Sequence, residues 1–138
     1  MVKRAPRKKK VEFKDLVRTM AKLRAPGGCA WDRKQTHRSL LKYLREESQE
    51  ACEAVAKKDW DNLREELGDV LHQVLFHADL AKEEGYFDIH DVLAGLQDKM
   101  VRRHPHVFAK GPKEKLSAGQ VRLRWAEIKR REKLARSA

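Results

Sequence analysis

Two consecutive helical stretches that carry carboxylates on their apolar sides constrain this chain more than any other feature. The first runs from Thr36 or Ser39, either able to cap it, to Lys57, and the second from an Asp59 cap to about Glu84. On a wheel at ~100° per residue with Glu46 at zero, Tyr43, Ala54, Leu40, Ala51, Leu44 and Val55 span roughly 60° to 180°. Glu47 falls near ~100°, inside that arc, and Glu50 near ~40°, at its edge. Glu46 and Glu53 flank them, while Arg45 and Gln49 lie opposite. A merely solvated acidic face would be arranged the other way round. In the second stretch Leu63, Leu67, Val70, Leu71, Val74 and Trp60 occupy roughly 40° to 140° from Glu66. Glu66 and Asp69 sit beside that arc, with Gln73 and His77 on the same stripe and Glu65 further round, toward solvent.

A short connection makes the two helices antiparallel neighbours, so their apolar arcs meet and bring Glu47, Glu50, Glu66 and Asp69 to one seam. Four carboxylates converging in a partly dry place do not all stay ionised without a cation among them. An all-oxygen set, with no cysteine and no His pair nearby, favours Mg2+ or Mn2+ over zinc. Mg2+ held by carboxylates keeps waters and takes substrate phosphates as further ligands, which points to phosphate chemistry.

The remaining segments are helical too. Phe13, Leu16, Val17, Met20 and Leu23 predict a helix over Glu12–Leu23, stopped by Pro26, Gly27 and Gly28 in a loop, GGCAWD, that ends near Gln35. Gly85 closes the long third helix, Asp88 starts a fourth that ends at Pro105, and a last helix holds Val121, Trp125 and Ile128. No period-two strand pattern occurs, so the expected fold class is an all-α helical bundle with short connections. On the fourth helix Lys99 and Arg103 flank Val92 and Leu96, placed either to receive phosphate oxygens or to neutralise the acidic seam. Trp31 either stacks on a nucleobase or plugs its loop onto the core, the core reading being favoured. Asp32 and Gln35 are candidates for closing that loop over a ligand. His104 and His106 lack the spacing and cysteine partners of a zinc site. His77 reads as a hydrogen-bonded seam residue, and Cys29 as incidental.

The formal charge of +11 raises a nucleic-acid binder as the alternative. Its distribution argues against that: residues 1–10 hold six Lys/Arg and no acid, and 113–138 hold nine Lys/Arg against three Glu. The expected organisation is a basic disordered tail (1–10), a central domain (11–112) of near-neutral charge, and a basic C-terminal helix (113–138). The tails allow weak non-specific nucleic-acid contact. A helical protein that binds nucleotides without turnover is a third reading. No apolar run approaches the ~18 residues that span a bilayer, and no apolar stretch follows the basic N-terminus as in a secretory signal. Two unpaired cysteines, Cys29 and Cys52, fit a reduced, cytoplasmic location without membrane partners.

The acidic pattern, Glu47–Ser–Gln–Glu50, fifteen residues, then Glu66–Leu–Gly–Asp69, resembles the ExxE…ExxD signature of the all-α nucleoside triphosphate pyrophosphohydrolases. The wider resemblance is to the MazG family. It is carried by LRAPGGCAWDRKQTH, YLREESQE, EELGDVLHQVLFHA, GYFDIHDV, KMVRRHPHVF and RWAEIKRREK, and covers about residues 12–134. It implies a MazG-type helical bundle that dimerises or forms larger homo-oligomers, and it makes 11–112 the catalytic domain. The implied activity is Mg2+-dependent cleavage of an NTP or dNTP between the α and β phosphates, giving monophosphate and pyrophosphate, with Mn2+ a possible substitute. Nucleotide-pool house-cleaning is the implied role.

By that resemblance Glu47, Glu50, Glu66 and Asp69 are metal ligands and Glu46 orients or deprotonates the attacking water. Lys99 and Arg103 hold phosphates, with Trp31 the substrate-stacking candidate of the loop. The family loop usually reads GGCPWD, and Ala30 stands here in place of the proline, which loosens the loop. Family members often carry two such domains in tandem, whereas this sequence holds one.

Overall fold

The computed structural model describes residues 9–137, so most of the basic tail expected over 1–10 lies outside the described residues. Seven helices and no strand occur among those residues. They fall into two compact units that divide between Ile89 and His90.

The first unit holds α1 (Phe13–Arg24), α2 (Ala30–Lys34), α3 (His37–Ala56) and α4 (Trp60–Glu83). α3 and α4 form its centre as an antiparallel pair, and α1 packs on α4. Thr36 caps α3, its hydroxyl accepting from the Ser39 N–H at 3.1 Å, and the Asp59 carboxylate accepts from the Asn62 N–H at 3.2 Å at the start of α4. Between them the chain reverses through Lys58, whose φ of 56° is left-handed, and the Asp59 N–H bonds back to the Ala54 carbonyl at 2.9 Å. The same chemistry ends α4, where Gly85 takes φ 79° and the Tyr86 N–H reaches the Ala81 carbonyl.

The buried core is Met20 from α1, Leu40 and Ala54 from α3, and Leu75, Phe76, Ala78, Leu80 and Ala81 from α4, with Ile89. Arg24 ties the unit together at the end of α1. Its guanidinium donates to Glu83 through Nε at 3.0 Å and Nη2 at 2.8 Å, donates to the Asp32 carbonyl, and lies 5.6 Å over the Phe76 ring. Gly28 allows this corner to close: a Cβ there would run into the carbonyl oxygens of Lys22 and Leu23.

Two short helices escape the hydrophobic periodicity. α2 lies inside the expected loop, and α6 (Pro105–Phe108) begins where Pro105 ends α5 (Ile89–Arg103). Both are too short to show an apolar stripe, and Pro105 suits the first helical turn that it occupies. The second unit, α5 beyond Ile89, α6 and α7 (Ala118–Ser137), has no buried side chain on α6 or α7. Here α5 meets α7 through charge and rings. Arg102 and Arg103 bond Glu132, Arg103 lies 5.5 Å over the Trp125 ring, and His104 packs edge-on to the same ring at 5.1 Å.

Candidate active site

Glu47 projects from α3 toward Glu66 and Asp69 of α4, and one carboxylate oxygen from each lies within 4.8 Å of the others. All three residues are half-buried. The turn at Lys58 and a core that includes Leu40 and Ala54 of the α3 arc and Phe76 of α4 bring the two helices together; none of the six apolar residues read from the wheel on α4 is buried, and Trp60, Leu67 and Val74 are exposed.

The site's electrostatics are unfavourable as it stands. Burial first, then Asp69 and Glu50, pushes the Glu47 carboxyl above its ordinary range. Glu66 is pushed up to about 7 by burial first and then by Glu50, Glu47 and Asp69. Oε2 of Glu47 and Oε2 of Glu66 are both buried without a hydrogen-bond partner. Orphaned acceptor oxygens on crowded, partly dehydrated carboxylates are the donor set that a hard divalent cation takes up. No other cluster of three or more potential ligands occurs among the described residues.

The other expected site residues are spread more widely. Glu50, one turn beyond Glu47, is exposed and stands outside the tight set of three, yet close enough to raise both Glu47 and Glu66. Glu46 is exposed on α3 beside the cluster. Trp31 sits on α2 with its ring edge-on to Tyr43 at 5.7 Å and to Phe76 at 6.3 Å. It is 48% exposed, so it packs on the core through these rings and keeps about half of its surface in solvent. Lys99 and Arg103 belong to the second unit. Lys99 is exposed, while the Arg103 guanidinium is bonded to Glu132 at 3.0 Å and its Nε is buried without a partner.

Sequence reasoning missed the partners of two of these groups. His77 Nδ1 lies 2.7 Å from His37 Nδ1 with the rings stacked, so one nitrogen donates to the other, and His37 Nε2 faces Glu84 at 3.4 Å. Burial and then His37 lower the His77 pKa, as expected of a hydrogen-bonded seam residue. Forty residues separate the pair and no local pattern announces it. Glu132, which binds both Arg102 and Arg103, was likewise hidden in a helix charged all round.

The family model for the MazG nucleotide pyrophosphohydrolase domain matches residues 35–108. The chain is 52% identical, over 88% of its length and 45% of the relative, to the nucleoside triphosphate pyrophosphohydrolase/pyrophosphatase MazG of Thermotoga maritima. It is 46% identical, over 86% of its length and 44% of the relative, to the nucleoside triphosphate pyrophosphohydrolase of Escherichia coli K12. It thus spans less than half the length of these two curated relatives. The crystal structure of a MazG-related protein from Thermotoga maritima superposes with a TM-score of 0.68 at 31% identity, covering 85% of this chain and 98% of that one.

Proposed function

The chain belongs to the MazG nucleotide pyrophosphohydrolase family, and on that premise we propose that it hydrolyses nucleoside triphosphates, ribo or deoxy, to monophosphate and pyrophosphate. The observation that carries this reading is the convergence of Glu47, Glu66 and Asp69, two of them with buried, partnerless oxygens. Those three, with Glu50 at the exposed side, would hold Mg2+, for which Mn2+ is the natural substitute. Bound there, a divalent cation neutralises phosphate oxygens and makes a water more acidic.

The protein's own groups do the rest. Glu46, exposed and adjacent to the ligand set, accepts a proton from the attacking water and orients it. Lys99 and Arg103 receive the phosphate oxygens and stabilise charge that grows on the pyrophosphate as it leaves. The exposed part of the Trp31 ring offers a contact surface for the base. A homodimer, or a larger assembly of dimers, is supported by apolar side chains left in solvent on the catalytic helices, among them Leu67 and Val55, which are 55% and 51% exposed. No helix among the described residues is long and apolar enough to cross a membrane. A cytoplasmic role in clearing the nucleotide pool is part of the same proposal, its location supported by the free thiols of Cys29 and Cys52. The basic tails leave room for weak contact with nucleic acid.

Release of pyrophosphate with the matching monophosphate, assayed with Mg2+ over a panel of NTPs and dNTPs, tests the reading. Activity is expected in the wild type and a loss of about 10²-fold or more in Glu50→Gln. No turnover of any nucleotide with Mg2+ or Mn2+ would leave a binding protein instead.

A further inference from the structure

A cavity of about 350 Å3 in the second unit is lined by Lys99, Arg102, Arg103 and Arg136, with Glu132 and Ala135 completing its wall. Four cationic side chains around one recess make an anion site, and the recess is large enough for a pyrophosphate group. One fixed anion already stands in it. The Glu132 carboxylate accepts from Arg102 Nε at 2.7 Å and from Arg103 Nη2 at 3.0 Å, bridging the two guanidiniums that an entering phosphate would seek. Its side chain is only 16% exposed.

We propose that Glu132 is an internal competitor for phosphate at Arg102 and Arg103, weakening the grip on pyrophosphate so that the product leaves. This rests on the reading that Lys99 and Arg103 hold phosphate. The alternative role for such a carboxylate is to position the arginines, and the structure argues against it because each has a second anchor. Arg102 is also bonded to Asp98, one turn back on α5, and Arg103 lies over the Trp125 ring. Neutralising Glu132 therefore leaves both guanidiniums in place and removes a negative charge from the wall. The two arginines hold the Glu132 carboxyl down at about 2, so it stays charged throughout the neutral range.

Binding of inorganic pyrophosphate to the whole chain, by calorimetry and by inhibition of turnover at fixed ionic strength, tests the proposal. Glu132→Gln is expected to bind pyrophosphate about 5- to 50-fold more tightly than wild type, from removal of one nearby like charge. Glu132→Met, a helix-favouring neutral side chain of similar length, gives the same result if Gln loosens α7. Unchanged or weaker binding in both neutral variants, with Arg103→Gln still weakening it, overturns the competitor and leaves phosphate binding standing. If Arg103→Gln and Lys99→Gln leave pyrophosphate affinity untouched, the phosphate reading of these residues falls and the competitor with it.

Discussion

The two units are stabilised by different physics. In the first, hydrocarbon does the holding: Phe76 and Leu40 are fully buried, and α1, α3 and α4 each contribute to one core. In the second, α5 meets α7 through arginine–glutamate pairs and the Trp125 ring, while Leu123 and Leu134 of α7 are 71% and 59% exposed. The first unit can therefore tolerate a destabilising cluster of carboxylates on its central hairpin, because buried apolar area offsets their crowding. The second has little such reserve, since partly exposed ion pairs add only about 0–1 kcal/mol each. The acidic cluster sits on the unit with the hydrocarbon core, and Lys99 and Arg103 sit on the one held by charge.

The largest test of this contrast is Phe76→Ala. Loss of a fully buried aromatic that also carries the Arg24 guanidinium and the Trp31 edge should cost about 3–5 kcal/mol. Hydrogen exchange read separately over α4 and α7 checks where that loss appears. Protection lost across α3 and α4, with α7 unchanged, is expected if the units are stabilised independently. Equal loss in both would break the comparison.

A smaller effect separates the carboxylate cluster from its scaffold. Glu66 titrates at about 7 in the folded protein, above its ordinary 4.5. Between those values the native state binds more protons than the unfolded chain, so stability present at low pH is lost as pH rises toward and through 7. His77, held below its ordinary value, acts in the opposite direction and loses stability as pH falls through 6.5. Comparing wild type with Glu66→Gln cancels the histidine. Without metal, the variant should melt above wild type at pH 8, the gap closing near pH 5. Mg2+ should raise the melting temperature of wild type at pH 8 and do little for the variant. A gap independent of pH would mean that the folded protein does not raise the Glu66 carboxyl.

How far the sequence carried depended on whether a residue's partners were local. Glu47, Glu66 and Asp69 were legible because helical geometry fixes a side chain's face within a turn or two, and carboxylates on the apolar side are a conflict visible in one dimension. Thr36 and Asp59 as caps and Gly85 as a helix stop were readable for the same reason. Leu67 and Val74, placed on the apolar arc of α4, prove 55% and 38% exposed: periodicity tells which side is apolar, and says nothing of whether enough chain exists to cover it. The bond of Arg24 to Glu83 spans 59 positions, and that of Arg103 to Glu132 spans 29. Long-range ion pairs leave no periodic trace.

The smallest effect concerns the loop that ties α1 to α3. Ala30 opens α2 at the first helical position, where a backbone N–H has no partner within its helix and proline's fixed φ is already suitable. Cys29, the residue before it, has φ −86° and ψ 124°, the extended conformation that a following proline requires. Ala30→Pro therefore meets both backbone conditions and should stabilise by about 0.4–1 kcal/mol, chiefly by restricting the unfolded chain. The loop's position sharpens the comparison: Asp32 of α2 is buried against Arg24, so the gain belongs to the hydrocarbon-held unit. Slower exchange over α1 to α4 with α7 unaffected would mark the units as separately stabilised. A gain shared equally by α7 would show that the second unit draws its stability from the first.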